Sequence, residues 1–425
     1  MNRALYTLLF HVALPLILLR LAWRAWRAPA YARRVAERFA LGLAPLQPDG
    51  IWLHAVSVGE SIAAAPLVRE LLARYPQLPI TITCMTPTGS ERIRALFPAE
   101  QYAGRIQHCY LPYDLPWTAA RFLRQLRPRL AVIMETELWP NFIAACERRA
   151  IPVVLANARL SERSARGYAR FARLTAPMLA RLQLIAVQSA AEAQRFLQLG
   201  ARPEAVQVTG SIKFDLQVDA QLLARATACR ADWGARPVWI AASTHAGEDE
   251  IALAAHRQLL ARWPQALLIL VPRHPERFNS VYELCQRQGF ATCRRSAGVQ
   301  PQATDALLLG DTMGELLFLY ALADVALVGG SLVANGGHNL LEPAALGKPV
   351  LSGPHLFNFL EISSQLREAG ALREVQDADS LAREVAQLWQ SRDDWQAMSE
   401  AGLAVLRRNQ GALARLLGGI QRLLP

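Results

Sequence analysis

The sequence predicts two doubly wound α/β domains, each a parallel sheet covered by helices, preceded by one apolar helix. Three observations carry this. Short apolar runs bounded by glycine or proline alternate with helical patterns along the chain, the rhythm restarts once near the middle of the 425 residues, and Ala4 to Leu19 contains no charge. Domains of roughly 100–200 residues make two the expected number.

The apolar segment is slightly short of the ~20 residues that span a bilayer as a helix. Ala28-Pro29-Ala30 imitates an export cleavage site, but Arg20, Arg24 and Arg27 stand between it and the apolar run, where an exported segment lacks positive charge. These arginines, with Arg33, Arg34 and Arg38, outweigh Arg3 and keep the body of the chain on the cytoplasmic side. Trp23 and Trp26 suit a headgroup-level belt. The expectation is a membrane-anchor helix over 1–28, either spanning or lying in the plane.

In the first half, strands are expected at Ile51 to Val56, Ile80 to Cys84, Leu130 to Met134, Val153 to Leu155 and Leu184 to Val187. The second half supplies Val238 to Ala242, Ala266 to Val271, Ala306 to Leu309, Val325 to Val328 and Pro349 to Leu351. Polar helical sequence over Leu216 to Arg230 separates the two sets. The expected domains are 29–216 and 217–425, and no short repeat suggests a solenoid.

With 52% hydrophobic and 19% charged residues, the chain has material for large cores and is not of a disordered class. A formal charge of +11 favours an acidic partner: nucleic acid, an anionic membrane or a phosphorylated substrate. The six cysteines show no CxxC pair or zinc spacing, which fits reduced thiols in the cytosol.

Ligands of such sheets bind beyond the carboxyl ends of the strands. After the first strand comes Ser57-Val58-Gly59-Glu60, where the carboxylate either accepts a substrate proton or complements the dipole of the next helix. Glu135 and Glu137 follow the strand ending at Met134, poised for a cationic or hydroxyl-rich group or for capping. Ser243-Thr244-His245 suits N-capping as well as ligand contact. Arg273 follows the next strand, and a guanidinium there can grip a phosphate by two bonds. Gly310-Asp311-Thr312-Met313-Gly314 repeats the strand, glycine, helix-start pattern. In the block from Val325 to Asn358, Gly329-Gly330-Ser331 and Gly336-Gly337 let a ligand approach the backbone, and a helix is expected to open near His338 or Asn339. Glu342 can accept from ribose hydroxyls or cap that helix. Arg163, Arg166, Arg170 and Arg173 recur at helical spacing and form one basic stripe, either a solvated face or a lipid and phosphate contact.

The runs IWLHAVSVGE, TPTGSER, ETELWPN, ANARLSERS, GSIKFD, ASTHAGEDE, VPRHPERF, GDTMGEL and GGHNLLEPAALGKPV, in this order, resemble the 3-deoxy-D-manno-octulosonic acid (Kdo) transferase family over nearly the whole chain. The resemblance implies the GT-B architecture, two Rossmann-like domains facing across a cleft, with acceptor on the first half and nucleotide sugar on the second. It implies inverting transfer of Kdo from CMP-Kdo to the lipid A precursor at the cytoplasmic face of the inner membrane, with no metal, cofactor or nucleic acid. Carried over by motif, Glu60 is the general base and Glu135 and Glu137 belong to the acceptor side, with Arg163, Arg166 and Arg170 nearby. Lys213, Ser243, Thr244, Arg273, Gly310, Met313, Gly314, Ser331, Asn339 and Glu342 serve the donor. Another GT-B sugar-nucleotide enzyme, such as an epimerase, would share the sheets and the glycine-rich pocket but need neither the anchor nor the arginine stripe. A non-catalytic membrane-associated binding protein would not need Glu60.

Overall fold

The computed structural model describes residues 1–43, 46–102 and 104–424. Among these residues the strands form two seven-stranded sheets, in which every pairing is parallel. The chain divides into two compact units, Met1–Asp215 with Gln410–Pro425, and Leu216–Asn409.

The first sheet comprises β1 (Ile51–His54), β2 (Ile80–Cys84), β3 (Ile106–Tyr110), β4 (Leu130–Met134), β5 (Val153–Ala158), β6 (Leu184–Val187) and β7 (Val206–Val208), in the order β3-β2-β1-β4-β5-β6-β7. The chain winds outward from β1 through β2 to β3, then returns to place β4 on the other side of β1. That reversal opens a crevice at the carboxyl ends of β1 and β4. Alternate residues of β1 feed different cores: Ile51 and Leu53 pack with Leu67 and Leu71, whereas Trp52 packs with Phe122 and Phe142. Both faces are therefore apolar, as a sheet covered by helices on two sides requires.

The second sheet comprises β8 (Val238–Thr244), β9 (Leu267–Pro272), β10 (Thr292–Arg294), β11 (Leu307–Leu309), β12 (Val325–Val328), β13 (Val350–Ser352) and β14 (Leu372–Glu374), in the order β10-β11-β9-β8-β12-β13-β14. Its reversal lies between β8 and β12. Helices again cover both faces, with Trp239, Leu253 and Leu270 in one core and Ile240, Leu319 and Tyr320 in the other.

Three expectations change. The carboxyl-terminal helix Ala412–Gln421, expected in the second domain, packs in the first unit, where Leu416 and Ile420 join the core beside Leu67. Asp215 fixes its start by accepting from the Gly411 and Leu413 amides at 2.6 and 2.5 Å. The arginine stripe is not one helix. Glu162–Ala169 and Ala172–Leu179 are separated at Phe171, because the Tyr168 carbonyl takes the Thr175 hydroxyl at 3.0 Å as well as the Phe171 amide. The helix expected near His338 begins at Leu341 and runs only to Ala345. Gly336 and Gly337, at φ 90° and 77°, prolong the turn, and Asn339 Oδ1 accepts the Leu341 amide at 3.2 Å.

Candidate active site

In the first unit, the residues around the β1/β4 reversal form an acidic cluster. Ser57 caps the helix Val58–Arg74 by accepting the Glu60 amide at 3.2 Å, and Glu60 returns two bonds, accepting from the Ser57 hydroxyl at 3.0 Å and the Val56 amide at 2.9 Å. The carboxylate therefore does complement the helix start, reaching back to the amide that precedes the Ser57 cap. It also has a second property. Burial pushes its pKa up to about 7, against the Val56 and Ser57 bonds that favour the charged form, and the nearby charges of Glu135 and Glu137 add to the rise. Desolvation therefore outweighs two hydrogen bonds, leaving a carboxyl group that exchanges its proton near neutrality.

Glu135 directly follows β4 in a left-handed conformation, φ 56°. For a non-glycine residue this costs on the order of 1–3 kcal/mol and persists only where surrounding contacts enforce it. The enforcement is visible: its amide donates to the Ala156 carbonyl at 2.9 Å and its carboxylate pairs with Lys213 at 3.2 Å. Lys213, assigned to the donor by sequence, thus sits in the first unit as the counter-charge of the acidic cluster. Glu137 carries a raised pKa through burial and then through Glu135. The Tyr168 hydroxyl donates to the Thr136 carbonyl at 3.3 Å, tying the arginine-bearing segment to this loop. Arg163, Arg166, Arg170 and Arg173 are exposed, with no ion pair to another described residue.

Asn157, beside this cluster, did not stand out in the sequence. It is fully buried at a bulge in β5, at φ 53°, and its Oδ1 accepts the Ile212 amide at 3.1 Å, next to Lys213. A polar residue closing the apolar run of β5 was the available signal.

In the second unit, the β8/β12 reversal is held by one buried carboxylate. Glu248 accepts four backbone amides: His245 at 2.9 Å and Gly330 at 2.7 Å on one oxygen, Ser331 at 3.0 Å and Leu332 at 2.9 Å on the other. The first residue of the helix Glu248–Arg262 is therefore the strut that ties the turn after β8 to the glycine turn after β12. Gly329 is required there, since a Cβ would lie 2.6 Å from the Ser243 carbonyl oxygen. Ser243 itself is left-handed, φ 58°, at the bulged end of β8.

Sequence-derived donor residues separate into two groups. Thr244 and Ser331 have their hydroxyls engaged within the fold, on Asp249 at 2.6 Å for Thr244, and on the Val328 carbonyl at 2.6 Å and the Gly353 amide at 2.8 Å for Ser331. Arg273 leaves its guanidinium without a partner among the described residues, whereas Arg277 is consumed by Asp249 and the Thr244 carbonyl. Met313 is exposed on the turn that Gly310 opens and Gly314 closes at φ 85°. Asn339 donates to Glu342 at 3.1 Å, so these two form one polar unit beside the Gly336-Gly337 turn.

Histidines complete this end of the sheet. The His245 and His338 rings stack with their Nε2 atoms 2.9 Å apart, and His274 meets His245 edge-on at 5.4 Å. Such a contact needs an unprotonated Nε2 on one ring and an N–H on the other. Burial, followed by Arg273, brings His338 down to about 4, and burial lowers His245, so both rings are neutral near pH 7. An unpaired guanidinium, neutral imidazoles and the Asn339–Glu342 pair make this a place for an anionic, hydroxyl-bearing ligand.

The profile of the family described as 3-Deoxy-D-manno-octulosonic-acid transferase (kdotransferase) matches residues 33–216. A 3-deoxy-D-manno-octulosonic acid transferase of Haemophilus influenzae is 47% identical over 98% of this chain and 97% of its own length. One of Bordetella pertussis is 40% identical over 99% of both chains. Among solved structures, UDP-GlcNAc 2-epimerase from Neisseria meningitidis bound to UDP-GlcNAc has a TM-score of 0.59 at 14% identity, covering 88% of this chain and 100% of that one. A glycosyltransferase from Rickettsia africae reaches 0.56 at 13% identity, covering 89% and 99%. These last two likenesses concern the GT-B fold alone.

Proposed function

The chain belongs to the 3-deoxy-D-manno-octulosonic acid (Kdo) transferase family, and from that premise we propose that it moves Kdo from CMP-Kdo to a lipid A precursor at the cytoplasmic face of the inner membrane. The first unit takes the acceptor and the second the donor. The observation that carries the catalytic assignment is Glu60, a partly buried carboxyl at the β1/β4 reversal with a pKa of about 7. A general base works best when its proton affinity matches the working pH, and Glu60 meets that condition.

Glu60 accepts the proton of an acceptor hydroxyl as that oxygen bonds to the anomeric carbon of Kdo. The bond from that carbon to the phosphate oxygen of CMP breaks with its electron pair, and attack from the opposite face inverts configuration. Arg273 stabilises the charge gathering on the departing phosphate. Asn339 and Glu342 hold the nucleotide, and Met313 with the Gly310 turn borders the base. Lys213 balances Glu135, which keeps the acidic cluster tolerable before substrate arrives.

The test is direct. Incubation with CMP-Kdo and tetraacylated lipid A precursor, read by product mass, is expected to add Kdo, and Glu60→Gln is expected to abolish turnover while CMP affinity stays unchanged. A Glu60→Gln enzyme of normal rate refutes the base assignment. Absence of any Kdo adduct with the wild type refutes the substrate pair.

A further inference from the structure

The apolar helix Arg3–Arg27 is long and hydrophobic enough to cross a bilayer, with a mean hydropathy of 1.9 over its best window. Its contacts contradict a crossing. The Tyr6 phenol is hydrogen-bonded to Asp114, a buried carboxylate four residues beyond β3 that also accepts the Asn141 and Phe142 amides at 3.0 and 2.8 Å. Thr7 donates to Asn141 Oδ1 at 3.0 Å. The amino end of the helix is therefore fastened to the carboxyl end of the first unit's sheet.

The segment after the helix is fastened to the same place. Arg34 donates to the His108 carbonyl at 3.1 Å, Glu37 accepts the Tyr110 amide at 2.9 Å, Arg38 donates to the Met85 carbonyl at 3.1 Å, and the Arg38 carbonyl accepts the Tyr113 amide at 2.8 Å. Tyr113 and Asp114 are neighbours in sequence, so chain before and after the helix converges on one edge of one unit. A 25-residue helix is about 37 Å long, and crossing a hydrocarbon core of about 30 Å would carry Tyr6 and Thr7 to the far leaflet, away from Asp114 and Asn141.

The faces of the helix agree. The exposed Leu5, Leu8, Leu9, Val12, Leu16, Leu19, Trp23 and Trp26 fall within about 100° of arc at 3.6 residues per turn. Half-buried Tyr6, Phe10, Leu14, Ile17, Leu21 and Ala25 occupy the opposite side. Arg20, Arg24 and Arg27 lie near the carboxyl end with Trp23 and Trp26, and Arg27 stacks on Trp23 at 4.3 Å. One uninterrupted apolar face bordered by tryptophan and arginine is the pattern of a helix lying at the boundary of headgroups and acyl chains, where arginine meets anionic phosphate.

We infer that Arg3–Arg27 lies in the plane of the cytoplasmic leaflet, docked to the first unit through Tyr6 and Thr7 and inserted by its Leu5-to-Trp26 face, with both ends on the cytoplasmic side. This rests on the membrane reading above and deepens it. It fixes the first unit, with Glu60, flat against the surface from which an amphiphilic acceptor comes, instead of on a tether.

Single exposed cysteines at Ala4→Cys and Ala28→Cys, about 36 Å apart along the helix, test it in the full-length protein, whose native cysteines are all buried. A membrane-impermeant maleimide is expected to label both in inverted inner-membrane vesicles and neither in intact spheroplasts. Labelling of Ala4→Cys from the outside of spheroplasts overturns the in-plane helix while leaving a membrane enzyme. Recovery of the wild type in the soluble fraction overturns the membrane reading itself and the inference with it.

Discussion

Replacing Glu60 by Gln should stabilise the first unit at alkaline pH while removing activity. The folded-state pKa of about 7 stands above the ordinary 4.5, so between those values the folded chain binds the proton more tightly than the unfolded chain. Stability then falls as pH rises from 4.5 to 7 and stays low above it. A rise of about 2.5 pH units corresponds to about 3 kcal/mol at 1.36 kcal/mol per unit. Partial solvent contact reduces this, so the expected gain of Glu60→Gln at pH 8 is about 1–3 kcal/mol. Glutamine can still accept the Val56 amide through its side-chain oxygen, so little is lost in exchange. In a unit of this size the gain corresponds to a Tm increase of about 3–9 °C, shrinking to a degree or two at pH 5. Thermal unfolding of wild type and variant in detergent at pH 5 and pH 8 checks it. Equal shifts at the two pH values, or a loss at pH 8, would show that Glu60 is not desolvated as described.

Two further substitutions separate scaffold from site. Glu248→Gln leaves several of its four donor amides facing an amide that offers one acceptor, and is expected to cost the second unit roughly 2–3 kcal/mol, with CMP affinity falling alongside; an unchanged melting profile and unchanged CMP titration would contradict this. Reversing Arg163 and Arg166 to Glu is expected to raise the acceptor KM several-fold and leave the CMP-Kdo KM alone, because both side chains are exposed and free of ion pairs. Equal effects on both constants would make the stripe a structural face.

What the sequence conveyed tracks burial. The ten strands expected from apolar runs all lie inside the sheets, flanked on both sides. The four that escaped, β3, β7, β10 and β14, are the sheet edges. An edge strand has one neighbour and partial solvent exposure, so Gln107 and His108, Gln207, Thr292 and Arg294, or Arg373 and Glu374 interrupt the apolar signal without cost. For the final helix, periodicity can say only that a face is buried. Its partner is set by Asp215, some two hundred residues away.

At the site, position was more legible than role. Glycine turns and polar residues at strand ends pointed to both reversals. Glu60 was balanced between capping and chemistry; the structure shows the bonds at the helix start, and these hold the carboxylate where burial raises its proton affinity. Ser331 and Thr244 were assigned to the donor through the resemblance; in the fold their hydroxyls stitch neighbouring turns. Glu248 did not stand out in the sequence. Its four amide contacts come from segments more than eighty residues apart as well as from its own turn, a convergence that no local pattern encodes.

The central claim is that a neutral-range carboxyl at Glu60 removes the acceptor's proton, and the pH dependence of kcat/KM for the lipid acceptor measures it. The rate is expected to rise about tenfold per pH unit below pH 7 and level off above it. In Glu135→Gln, which removes a like charge and frees Lys213, the rise should move to lower pH with the same acceptor and donor. A rate independent of pH between 5.5 and 7.5, or a limb that Glu135→Gln leaves in place, would contradict the account.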